Sequence, residues 1–166
     1  MEAVSQHFGP VVLSTSGSRA VPGTFSVEGA HVPLELTISD HDHLDEAAVH
    51  KVDYRLRFLP ELIDSVRERI TQELDDDESA ASQFRHFHCQ NLGNGSVKKV
   101  FGVEDPAELT PEVFVRALRL ARVGIYPGQP ERYFVLNLTL GEGFTDEMLV
   151  AAADADGVVD DEILWD

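Results

Sequence analysis

Two histidine-rich clusters carry the residue types best suited to hold a metal: Asp40-His41-Asp42-His43 and His86-Phe87-His88-Cys89. Imidazole, carboxylate and thiolate are the ligands that zinc and iron take. In an extended segment His41 and His43 share a face, and on a helix His86 and Cys89, three apart, share one. A metal held by His41 and His43 together with His86 and His88 would activate water for hydrolysis, which makes a metal-dependent hydrolase the alternative, enzymatic reading. Neither cluster has the ligand spacing of a metal motif. Asp42 also suits the N-cap of the helix that follows, with Asp45 and Glu46 favourable in its first turn.

Other residues with chemical potential read as structure. Cys89 is the one cysteine, and no signature of a cysteine nucleophile surrounds it. Asp154-Ala155-Asp156-Gly157 resembles the centre of a calcium loop, but Ala152 and Ile163 stand where that loop needs carboxylates, so the segment reads as a tight turn. Gly93-Asn94-Gly95-Ser96 with Lys98 and Lys99 lacks the Gly-Lys-Ser/Thr of a phosphate loop and follows a helix, so it reads as a turn with solvated lysines. Arg116, Arg119 and Arg122 fall at spacing three on an expected helix and pair more readily with acids than with a ligand.

Charge is the strongest signal. Thirteen Lys and Arg against thirty Asp and Glu leave a net charge of −17. Such a charge repels nucleic acid and anionic lipid and attracts a basic partner or a cation. No Lys or Arg follows Arg132, whereas nine acids do: Glu142, Asp146, Glu147, Asp154, Asp156, Asp160, Asp161, Glu162 and Asp166. Asp156, Asp160, Asp161 and Glu162 are therefore the expected contact residues for a basic protein. Hydrophobic residues at 43% and charged residues at 26% are ordinary for a globular chain, so the acids decorate a folded domain. A lone cysteine and an N-terminus without a basic and then apolar leader point to the cytoplasm. No apolar run is long enough to span a bilayer.

The elements that must position these residues fall into three zones of one α+β domain covering residues 1–166: β-rich over 8–39, helical over 44–123, and β-rich over 133–165. Val11 to Leu13 is a short strand. Thr24 to Glu28 and His31 to Ser39 form a hairpin around Gly29, with Val32, Leu34, Leu36 and Ile38 on one face. Pro33 belongs at a strand start or an edge. Apolar spacing of three and four from Ala48 to Leu74 predicts two helices divided near Pro60. A third helix spans Ser79 to Leu92. A fourth begins at the cap Thr110 and runs to Val123, closed by Gly124 in the left-handed conformation. Phe134, Leu136, Leu138 and Leu140 alternate with outward residues, Thr139 among them. Met148–Ala153 and Val158–Trp165 flank the acidic turn as a hairpin. The expected sheet has about five or six mostly antiparallel strands, with about four helices inserted in the middle and packed on one face.

Arg122-Val123-Gly124-Ile125-Tyr126-Pro127, the strand Phe134 to Leu140, and Thr145-Asp146-Glu147-Met148-Leu149-Val150 together resemble the bacterial domain-of-unknown-function 2004 family. Phe84 to Leu92 is similar to that family's middle helix. The resemblance implies this fold and an acid where the chain has Asn137; it implies no particular activity.

The reading that emerges is a non-enzymatic binding protein of inhibitor or immunity type, without a cofactor, acting on a basic protein. It binds neither nucleic acid nor membrane, and is a monomer or a small homo-oligomer.

Overall fold

Alternation at Val32, Leu34, Leu36 and Ile38 commits that segment to a strand with one buried face, and all four side chains are buried in the computed structural model of the protein. The structure describes residues 2–13, 17–27, 29–91, 94–141 and 143–166. Strands β1 (Glu2–Ser5) and β2 (Gly9–Val12) pair as a separate antiparallel ribbon. Strands β3 (Arg19–Val27) and β4 (Ala30–Ile38) form the expected hairpin, with Gly29 at a φ of 80° that favours glycine. The chain then passes through α1 (Glu46–Leu56), α2 (Leu59–Glu73), α3 (Ala80–Asn91), α4 (Asn94–Phe101) and α5 (Pro111–Ala117). It returns to the sheet as β5 (Arg119–Ile125), β6 (Phe134–Thr139), β7 (Leu149–Ala153) and β8 (Leu164–Trp165).

The six-stranded sheet has the order β3-β4-β5-β6-β7-β8 and is antiparallel except where β4 meets β5. A parallel pair demands a long crossover, and the helical zone is that crossover. The fold is α+β. Phe134, Leu136 and Leu138 turn to the helices with Val123, Ile125, Leu149 and Ala151 beside them, all buried. Phe84 of α3 and Phe114 of α5 complete this core, their rings 6.2 Å apart. Pro33 lies one residue before the stretch of β4 that pairs with β5.

Helix starts follow local chemistry. Pro60 occupies the first turn of α2, where no amide partner is missed. Thr110 caps α5 through the Val113 amide, with Pro111 next. Asp45, not Asp42, caps α1, accepting the Ala48 amide at 2.9 Å. Asp42 instead accepts the Ser39 amide at 3.0 Å, closing the turn that leaves β4.

The fourth expected helix is the main correction. It ends at Ala117, and Arg119–Ile125 is a strand between β4 and β6. A bulge between Leu120 and Arg122 shifts the register, so alternation in this segment is interrupted and its apolar spacing imitates a helix. Gly124 is therefore no helix cap. A Cβ there would lie 3.0 Å from the Tyr126 ring, so its missing side chain makes room for that ring. Three smaller differences follow. Strand β1 was not expected; Asn94 and Gly95 belong to α4 while Gly93 lies outside the described residues; and the last strand is short, preceded by an isolated bridge between Ala153 and Val159.

Candidate functional site

Every residue turned toward the helices leaves its neighbour turned away, and that second face composes the site. Across it run two rows fixed by register: Glu35, Gly124, Val135 and Ala152, then Arg122, Asn137, Val150 and Leu164. Arg122 donates to Glu35 at 3.3 Å, occupying the β4–β5 side of the face. The β7–β8 side differs. There a depression of about 340 Å³ has Val150, Ala152 and Leu164 as its floor. Asp160, Asp161, Glu162 and Arg132 form its rim. Leu164, on the edge strand β8, keeps 44% of its surface exposed. An apolar floor within a charged rim is the composition of a protein-binding patch.

The rim is held rather than loose. Asp160 donates its amide to the Ala152 carbonyl at 2.8 Å, extending the sheet edge. Ile163 is buried and gives its amide to the Glu73 carboxylate of α2 at 3.0 Å. Burial pushes the Glu73 carboxyl above its ordinary range; the Ile163 amide and the Arg69 guanidinium oppose that, and Glu162 adds to it. Arg69 also approaches Asp161 at 3.9 Å. At the far end the Trp165 indole donates to Glu147 at 2.6 Å, and Met148 and Asp166 exchange backbone hydrogen bonds. The acids thus project from a braced arm, with Asp160, Asp161 and Glu162 all exposed.

Asp156 is not part of this rim. It sits on the tight turn, which forms as expected: Asp154 accepts the amides of Asp156 and Val158 at 2.9 Å, and Gly157 has a φ of 82°. There it lines a different cleft with Arg55, Phe58 and Phe134. Three of the four expected contact residues are therefore brought together and the fourth is not. The apolar floor was not anticipated, although Val150 and Leu164 were legible as strand residues.

The histidines separate by environment. His41 and His43 are exposed in the loop after β4, His41 lying 3.4 Å from Asp40 and His43 at a φ of 47°. His86 is exposed on α3. His88 is buried and spends both ring nitrogens: Nδ1 lies 2.8 Å from the Phe84 carbonyl and Nε2 2.8 Å from the Thr145 hydroxyl. With Nδ1 donating to the carbonyl, Nε2 accepts from Thr145. The ring is thereby a tether between α3 and the loop before β7. Among the described residues no three His, Cys, Asp or Glu side chains converge as a metal site.

Cys89 lies half-buried beside His86 in an open cleft of about 290 Å³. Burial pushes its thiol up, with Arg85 pulling back, so the thiolate a nucleophile needs is disfavoured. The basic line dissolves because its residues occupy different elements: Arg116 stays on α5, whereas Arg119 and Arg122 lie on β5. Lys98, exposed on α4, pairs with Glu104 at 3.1 Å. No described helix is long and apolar enough to cross a membrane.

No family model matches the chain, and neither the curated proteins nor the solved structures include a significant match.

Proposed function

We propose that this chain is a non-enzymatic binding protein of inhibitor or immunity type, working in the cytoplasm on a partner that is basic at its contact face. The observation that supports this reading is the depression between β7 and β8, where three acids and Arg132 border an apolar floor on which Leu164 is exposed and Val150 half-exposed. A basic residue is matched to both parts. The aliphatic stem of a partner Lys or Arg would cover Val150 and Leu164, and its charged head would meet Asp160, Asp161 or Glu162. Charge of this kind governs encounter rate and partner choice more than final affinity.

The test is capture from the native cell on immobilised protein, followed by binding kinetics with each recovered partner. Wild type is compared with Asp160→Asn/Asp161→Asn and with Leu164→Ser. A partner of this kind associates more slowly with the double variant and dissociates faster from Leu164→Ser. Recovered proteins that bind all three forms with the same rates would overturn the proposal.

A further inference from the structure

A second cleft lies away from the acidic rim and has the opposite character. Its walls are α1, the turn over 127–130, Tyr133 and Ala155. Two compartments adjoin there, because both are lined by Arg55 and Ala155. The larger, about 280 Å³, has Lys51 and Arg55 one helical turn apart on α1, with Pro127, Pro130 and Tyr133 opposite. The smaller, about 80 Å³, is lined by Phe58, Leu62, Phe134 and Gly157. One compartment is cationic and the next is apolar.

The cationic compartment is preorganised. Tyr126 takes a backbone bond from Gln129 and gives one to Tyr133, and Ala155 donates to the Pro130 carbonyl, all within 2.9 Å. Arg55 lies over the Tyr133 ring, 4.6 Å from its centre. Burial raises the Tyr133 phenol, and the nearby Arg55 guanidinium, which favours the ionised hydroxyl, lowers it in part; the buried Oη makes no hydrogen bond of good geometry. Neither Lys51 nor Arg55 forms an ion pair with a carboxylate among the described residues. Asp45 at the rim is already committed to capping α1, and Asp156 borders the apolar compartment.

We infer that this two-part cleft binds a small carboxylic acid with a short apolar tail, its carboxylate between Lys51 and Arg55 and its tail against Phe58, Leu62 and Phe134. A guanidinium and an ammonium side by side match a carboxylate in charge and donor count. The adjoining apolar walls reward a tail that a bare anion lacks. Asp156 works against the ligand through like charge, so its loss tightens binding.

The test is titration of the full chain, followed by NMR shifts and calorimetry, with acetate, butanoate, hexanoate, 1-hexanol and inorganic phosphate as probes. Hexanoate binds saturably, and affinity rises by up to about fourfold per added methylene from acetate. Lys51→Met and Arg55→Met each weaken hexanoate at least about tenfold, the loss expected for a charged hydrogen bond. Phe58→Ser weakens hexanoate but leaves acetate unchanged, and Asp156→Asn strengthens both. Lys51 is exposed, so Lys51→Met decides the matter if Arg55→Met does not fold. No saturable hexanoate binding, equal affinity in Lys51→Met, or equal affinity in Phe58→Ser would each overturn the inference. Phosphate or 1-hexanol binding more tightly than hexanoate would overturn the ligand class.

Discussion

The Glu73 carboxylate near the end of α2 accepts the amide of Ile163, ninety residues later, at 3.0 Å. One hydrogen bond thereby ties the helical crossover to the arm that presents Asp160, Asp161 and Glu162.

Its pH dependence has a definite sign. Burial raises the folded Glu73 carboxyl above its unfolded value of about 4.3. A raised group favours the folded state fully below the unfolded pKa, and that contribution is lost as pH rises through the folded pKa. Glu73→Gln keeps an acceptor for Ile163 and removes the charge. Urea unfolding should therefore show the variant gaining on wild type as pH rises from below the ordinary glutamate pKa through the raised folded one. A difference that stays constant over that window would sink this account.

The helix-facing row of β6 should be far more sensitive than its outward row. Leu138 is buried, and Leu138→Ala should cost about 2–5 kcal/mol. Asn137 lies on the opposite face, half-exposed, and Asn137→Ala should cost less than about 0.5 kcal/mol. Thr139, expected to face outward harmlessly, is buried, and its hydroxyl both donates to Glu147 and accepts from Gly141. Thr139→Ala should fall between the other two in chemical denaturation.

Capping distinguishes two aspartates three residues apart. Asp45→Ala should lower stability by about 0.5–2 kcal/mol and reduce helicity by circular dichroism. The N-cap role anticipated for Asp42 predicts the reverse order, with Asp42→Ala causing the helicity loss. A helix signal that responds to Asp42→Ala alone would show that the cap is misplaced.

His88 should behave as a structural tether. His88→Ala removes both of its hydrogen bonds and opens a cavity beside Phe84 and Thr145, so a loss of about 2–4 kcal/mol is expected. Phe87 and Phe84 link the ring to Trp165, whose fluorescence should shift in the folded variant. A chelator should leave the wild-type melting temperature unchanged. A large chelator-induced drop that vanishes in His41→Ala/His43→Ala would restore the metal-dependent hydrolase.

Association at the acidic rim should be strongly dependent on salt. The Debye length shrinks from about 10 Å at 0.1 M to about 3 Å at 1 M, so steering by Asp160 and Asp161 fades over that range. Arg132 lies on the rim beside the acids, and Arg132→Ala should speed association with a basic partner. Stopped-flow rates that are insensitive to both changes would reduce the rim to a solubility device.

Strand alternation and turn chemistry made most of the fold legible. Val32 to Ile38, Phe134 to Leu138 and the Asp154–Gly157 turn each declare themselves within a few residues. Strand β5 did not, because its bulge at Ala121 mixes two periods and one of its two partners, β4, lies far away in the chain. The site was half legible. Composition pointed to Asp160, Asp161 and Glu162, but only pairing of Val150 with Leu164 reveals the apolar floor between them. Asp156 borders a different cleft, a placement that nearness in sequence does not reveal.

The parallel contact of β4 with β5 has a consequence for biogenesis. During synthesis the β3–β4 hairpin is made before its inner neighbour, which does not exist until the whole stretch over 39–118 has been synthesised. Through that interval one margin of the nascent hairpin exposes unpaired amides and carbonyls to other chains. Early pairing of α1 with the β1–β2 ribbon, through Ser5 and Asp53 at 2.6 Å, can begin before β5 exists. A chaperone or a crowded polysome would therefore act on this protein mainly before residue 119 is available.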